Sequence, residues 1–126
     1  MKLTQKQIDF IYENKNMVFA TASADGQPRA IMVEPSIVEA DRIYLCDMQM
    51  VVSQNNVLKN PKVFIACYDQ EYNVCLKITG IAKEYITSGD LFQKVDKIEK
   101  EKGTIFTLRG VIVINITDVV ELIDKD

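Results

Sequence analysis

Residues 18–34, VFATASADGQPRAIMVE, constrain the fold more than any other stretch of the chain. An apolar run ends in Asp25-Gly26-Gln27-Pro28, and a second extended run begins at once with Arg29. Glycine accepts the positive φ that a tight reversal needs, and proline fixes its own φ and donates nothing to a ladder. Two extended runs joined by such a turn specify a β-hairpin. Its second strand opens with a guanidinium. That group either receives an anion or stands as an ordinary solvated charge at a strand end.

The rest of the chain repeats the strand signal. Val74, Leu76 and Ile78 alternate with Cys75, Lys77 and Thr79, which is the period-two pattern of a strand with one buried face. Strands are predicted over residues 17–23, 29–37, 42–46, 63–68, 74–85 and 105–117. Arg109-Gly110 marks a bulge inside the last, since glycine weakens a strand interior. Thr4-Gln5-Lys6-Gln7 has the form of a capping box ahead of a helix over residues 4–15. A second short helix spans residues 51–59 and ends at Asn60-Pro61. A third, capped by Ser88 or Asp90, runs through Leu91, Phe92, Val95 and Ile98 and stops at Gly103. The charges of residues 94–102, KVDKIEKEK, read as a solvated face of that helix. Six strands and three short helices predict one α+β, mainly β domain over residues 1–126, built on a small barrel. Closure removes the exposed edges that so many apolar strands would otherwise present.

Composition narrows the function. A chain of 126 residues with a formal charge of −3 has one domain's length and no basic excess for nucleic-acid phosphates. No apolar run approaches the roughly 18 residues of a membrane span; the longest, residues 111–116, reads as a buried strand. The opening MKLTQKQIDF lacks the apolar core of a secretory signal. Cys46, Cys67 and Cys75 are odd in number and lack CxxC spacing, so neither a disulfide framework nor a zinc site is indicated, and a reducing, cytoplasmic setting is the simplest reading. Their thiols read as buried apolar side chains. The chain contains no histidine, which removes the Ser-His-Asp triad, His-ligated metal or haem, and imidazole acid–base chemistry. No metal is expected. The difficult step of any reaction then falls to a bound cofactor.

Four pieces in order carry a family likeness. They are Phe19-Ala20-Thr21 leading into Asp25-Gly26-Gln27-Pro28; Arg29-Ala30-Ile31-Met32-Val33; Ser53-Gln54-Asn55-Asn56-Val57-Leu58-Lys59-Asn60-Pro61; and Leu76-Lys77-Ile78-Thr79-Gly80-Ile81-Ala82. Each motif is common alone. Together, across residues 10–122, the chain resembles the FMN-binding split-barrel proteins related to pyridoxamine 5′-phosphate oxidase, and most of all their small FMN-binding and flavin reductase-like members. The resemblance implies a six-stranded split barrel and a homodimer with two FMN molecules at its interface, each touched by both subunits. It implies a small-molecule substrate and no nucleic-acid or membrane partner. It sets Arg29, Ile31, Met32 and Val33 beside the isoalloxazine and ribityl chain, and Cys46 and Asp47 near the phosphate or ribityl oxygens. Ser53 and Asn56 would sit on the phosphate-side helix, where plain helix capping is the alternative role. Cys75 occupies a position where the parent oxidases turn a polar side chain toward the flavin.

One departure stands out. Relatives place a lysine, often beside an arginine, where this chain has Val52 and Ser53. A charge-assisted hydrogen bond of that kind is worth roughly 1.5–3 kcal/mol. The amides of the helix start, the Ser53 hydroxyl and Arg29 can replace part of it. Three functions are therefore expected in descending order. The first is a flavin-dependent oxidoreductase passing electrons or hydride between a reduced donor such as a nicotinamide and a small acceptor. The second is a non-catalytic FMN carrier or electron-transfer module. The third is a dimeric split barrel that uses a deazaflavin or has lost flavin. No residue pair marks a catalytic acid or base; Asp47 and Tyr72 are bare candidates. Met48-Gln49-Met50 reads as core or dimer contact ahead of a cover for the flavin ring.

Overall fold

The structure is a computed structural model that describes residues 2–71 and 74–121, so Tyr72 and Leu122 lie outside the described residues. Thr4 caps α1 (Gln5–Asn14) through a complete capping box: its hydroxyl accepts from the Gln7 amide while the Gln7 side chain accepts from the Thr4 amide. The hairpin follows as β1 (Met17–Ala22) and β2 (Pro28–Val33), with Gly26 taking the positive φ of the turn. Next come β3 (Ile37–Val38), β4 (Arg42–Asp47), α2 (Val52–Lys59), β5 (Lys62–Asp69) and β6 (Val74–Ile86). The chain then forms α3 (Asp90–Glu101) and β7 (Gly110–Glu121).

All pairings are antiparallel, in the order β2-β1-β5-β6-β7-β4-β3. The curled sheet keeps two edges, β2 and β3, and is a split barrel. Phe19, Ile43, Leu45, Ile65, Leu76, Ile78, Ile112 and Ile114 fill its interior, joined by Leu3 and by Ile11 from α1. A second cluster lies on the outer face, where Val95 of α3 packs among Tyr44, Val111 and Val113.

Several elements differ from expectation, each for a local reason. The run over residues 29–37 is not one strand. Pro35 has no N–H for a ladder, so the chain breaks at Glu34-Pro35-Ser36 and resumes as the two-residue β3; the sheet therefore has seven strands and not six. The last strand begins at Gly110, with residues 105–109 outside it. Gly110 pairs in register with Asp47 and forms no bulge; the register shifts between β6 and β7 fall at Thr79/Gly80 and Ala82/Glu84. The N-cap of α3 is Gly89, with no side-chain cap from Ser88 or Asp90. Its end is as expected: Gly103 at φ 86° donates to Lys100 O and Thr104 donates to Glu99 O, the paired bonds of a Schellman motif.

Candidate functional site

The hairpin register decides what β2 offers. Arg29, Ile31 and Val33 pair with Thr21, Phe19 and Met17, all three buried in the barrel. Cross-strand partners share a face, so Arg29, Ile31 and Val33 look inward while Ala30 and Met32 look out. Beyond edge strand β2 the split opens into a cleft of about 470 Å³, in the range that holds a cofactor-sized ligand. Its walls are β2, the segment Met48–Ser53 that leads into α2, and Cys46, Glu99 and Phe106.

Asp47 builds the second wall. It is wholly buried, and its Oδ1 accepts from the Met50 amide at 2.8 Å. Its Oδ2 accepts from the Tyr85 hydroxyl at 2.6 Å, and its carbonyl accepts from the Arg109 amide at 2.8 Å. The Arg109 guanidinium then holds Met50 O at 3.0 Å. These bonds fix the loop that starts α2. The helix itself is tied to β1 by two amides: Asn56 Nδ2 donates to Thr21 Oγ1 at 3.0 Å, and Asn60 Nδ2 to Ser23 O at 3.2 Å.

The first turn of α2 is left open toward the cleft. Its N-cap, Val51, supplies no side-chain bond. Ser53, in that turn, is 2% exposed, and its Oγ has no hydrogen-bond partner among the described residues. A buried hydroxyl without a partner costs about 1–3 kcal/mol, which a ligand accepting or donating there would recover. Arg29 lines the same cleft, and its guanidinium makes no hydrogen bond or ion pair among the described residues. The guanidinium, the orphan hydroxyl and the helix amides all line this cleft, and each is a group of the kind that receives an anion such as a phosphate. Ile31, Val33, Met48 and Met50 supply apolar surface alongside, so these residues fit a phosphorylated flat cofactor.

The opposite end carries negative charge. Glu99 on α3 is 7% exposed; its Oε2 accepts from Ser36 Oγ at 3.0 Å and pairs with Lys102 Nζ at 3.2 Å. Lys102 also reaches Glu34 at 3.6 Å and Pro35 O at 3.1 Å. Burial, with the Glu99 charge next, raises the Cys46 thiol above its ordinary value and keeps it protonated. Arg29 and Glu34 are five residues apart, roughly 16 Å along extended chain, so the two polarities occupy separate ends.

Of the expected site residues, Arg29, Ile31, Val33, Cys46, Val52 and Ser53 meet in this cleft, and Met32, which looks out from β2, also borders it. Asp47 and Asn56 do not. Strand alternation turns Cys46 outward toward α3 and Asp47 into the barrel, where its carboxylate is already engaged, and Asn56 spends its amide on Thr21. Neither Ser53 nor Asn56 caps α2. Met48, Gln49 and Met50 line the cleft, with Met50 also against the core. Cys75 is half-buried and is not among the lining residues. Glu34, Glu99 and Phe106 are lining residues that the sequence reading missed. For Glu99 a signal existed: it stands four residues after Val95, on the apolar stripe of α3 and not on its solvated face.

No curated protein matches the chain. Among solved structures, HupZ from Group A Streptococcus superposes with a TM-score of 0.84 at 22% identity, covering 95% of this chain and 94% of that one. An FMN-binding protein from Syntrophomonas wolfei superposes at 0.79 and 12% identity, covering 90% and 82%. HutZ, the heme storage protein from Vibrio cholerae, superposes at 0.72 and 17% identity, covering 95% and 94%. At these identities the likenesses speak for the fold alone. The model of the pyridoxamine 5′-phosphate oxidase family matches residues 3–122, nearly the whole chain. The chain belongs to the pyridoxamine 5′-phosphate oxidase family.

Proposed function

We propose that this chain is an FMN-binding flavoprotein that moves electrons or hydride between a reduced donor, such as a nicotinamide, and a small acceptor. The observation that carries the reading is the orphan Ser53 hydroxyl, buried at the open start of α2 in the cleft that Arg29 lines. Arg29, Ser53 and the α2 amides hold the phosphate, and Ile31, Val33, Met48 and Met50 seat the ring and keep water from it. Bound FMN supplies the redox chemistry. Haem suits the cleft less well: the chain has no imidazole, and burial keeps the Cys46 thiol from ionising.

The working unit in this reading is a homodimer. Ala30, Met32, Phe64 and Tyr68 lie exposed on the outer face of β2 and β5, and Val18, Ala20 and Ala66 are only partly covered between them. A contiguous apolar sheet face of this kind marks an interface. A second copy would cover it and close the open side of the cleft. The free cysteines fit a reducing compartment, and the cytoplasm is the proposed setting.

The test is purification without added cofactor, followed by flavin absorbance and titration with FMN. One FMN per chain is expected. A protein that stays colourless with excess FMN overturns the reading and leaves a deazaflavin or no flavin. Anaerobic bleaching by a reduced nicotinamide then separates an enzyme from a carrier.

A further inference from the structure

We infer that Thr21 and Asn56 are positioning residues for the cofactor phosphate: the hydrogen bond between them sets the spacing of Arg29 on β2 and Ser53 on α2. This rests on the preceding reading, in which Arg29 and Ser53 hold that phosphate.

The two phosphate groups stand on elements with no ladder between them, since β2 pairs with β1 alone and α2 lies outside the sheet. Three short steps connect them. Thr21 on β1 is the register partner of Arg29, and directly opposed residues carry their Cβ atoms about 4.5–5.5 Å apart on one face. Asn56 follows Ser53 by three residues in α2, which sets the two on one side of the helix, about 5–6 Å apart. The middle step is the hydrogen bond itself, from Asn56 Nδ2 to Thr21 Oγ1 at 3.0 Å. All three lie within one chain, so a second copy over the mouth of the cleft leaves them as they are.

The bond is suited to holding a distance. Thr21 is 4% exposed and Asn56 6%, beside Ser53 at 2%. A hydrogen bond shut away from water has few alternative partners and keeps one geometry. Among the described residues, one other side-chain bond joins α2 to the hairpin, from Asn60 Nδ2 to Ser23 O at 3.2 Å. Asn60 is the C-cap, seven residues beyond Ser53 and about 10 Å further along the axis. It secures the far end of the helix. Asn56, one turn from Ser53, governs where the first turn stands relative to Arg29. Charge-assisted bonds to a phosphate need their donors placed to within about 0.5 Å, so loss of the Thr21–Asn56 bond weakens phosphate binding although neither side chain touches the ligand.

The experiment titrates the flavin-free full chain with FMN and with riboflavin, and records the melting temperature of each variant. Riboflavin lacks the phosphate and reports the ring site alone. The parent should bind FMN more tightly than riboflavin. Asn56→Ala should weaken FMN about fivefold or more and change riboflavin by less than about twofold. Thr21→Val, which keeps the side-chain volume and removes the acceptor, should do the same. Thr21→Ser keeps the hydroxyl and should retain the preference for FMN. Asn60→Ala should lower the melting temperature and leave the ratio of the two dissociation constants within about twofold of the parent's. Parallel losses for FMN and riboflavin in Asn56→Ala, or an unchanged ratio there, overturn the inference. So does a Thr21→Ser chain as impaired as Thr21→Val, or an Asn60→Ala ratio shifted as far as that of Asn56→Ala. Where Asn56→Ala does not fold, Thr21→Val against Thr21→Ser decides the point. The parent titration keeps the failures apart. A parent that binds no FMN, or binds riboflavin as tightly, fails the cofactor reading and this inference with it; a parent that prefers FMN, with variants that keep the preference, fails this inference alone.

Discussion

The Tyr85 hydroxyl on β6 donates to Asp47 Oδ2 at the end of β4, at 2.6 Å, and so ties the barrel wall to the loop that presents α2. The other Asp47 oxygen holds Met50, a lining residue of the cleft. A single buried carboxylate thus connects the core strands to the cleft wall. Asp47 matters to the site by shaping it.

Tyr85→Phe removes one partner of a buried carboxylate and is expected to cost about 1–3 kcal/mol of stability near neutral pH. The pH dependence has a definite sign. Burial, and then the hydrogen bond to Asp47, push the Tyr85 hydroxyl up to about 12 from its ordinary 10. Below pH 10 both folded and unfolded chains hold the proton and the contribution is complete. Between pH 10 and 12 the unfolded chain releases it first, so stability falls as pH rises. Denaturant midpoints of the parent should drop more steeply across that window than those of Tyr85→Phe. Parallel curves would remove Tyr85 from the account.

Gly110 makes room for the same tyrosine. A Cβ there would lie 2.3 Å from Tyr85 Cζ, and the ring cannot retreat without giving up Asp47. Gly110→Ala should therefore destabilise by about 1–3 kcal/mol. Combining it with Tyr85→Ala should cost less than the sum of the two single changes, because the clash is gone. Gly80→Ala allows no such rescue, since its Cβ would meet the Asn115 carbonyl oxygen of the backbone at 2.9 Å. Melting temperatures of the four variants decide the point.

These contacts show how far the sequence reads. The hairpin and the capping box are local, and both appear at the expected residues because their signals lie within a few positions of one another. Family likeness located most of the cleft, since β2 and α2 carry its motifs in order. What escaped were facts of facing and of distant packing. Cys46 and Asp47 are neighbours in sequence, yet alternation turns them to opposite sides of β4, and only tertiary contacts tell which side is the cleft. Glu99 hides in a charged run, and its partner Ser36 is 63 residues away. Gly110 looks like a strand defect until Tyr85 is seen against it.

Arg29 is the cation among the described lining residues of the cleft. Arg29→Ala should weaken FMN binding at least about tenfold, the loss of one charge-assisted bond. Melting temperature should barely change, because the side chain is exposed and carries no hydrogen bond or ion pair among the described residues. An unchanged FMN dissociation constant would take Arg29 out of the phosphate site.

The converse change is more telling. Val52 lines the cleft in the first turn of α2 and is 43% exposed, so a longer side chain there has access to solvent and displaces no core packing. Val52→Lys would place an ammonium beside Ser53 and the α2 amides, where anion binding is already favoured. FMN affinity should rise about tenfold at low salt. The gain should shrink as ionic strength increases, because a cation at a half-exposed site is screened. A riboflavin titration supplies the control: lacking the phosphate, riboflavin should bind the parent and Val52→Lys alike. Equal gains for riboflavin and FMN would mean that the lysine acts on the ring or the fold, and would overturn the placement of the phosphate at the start of α2.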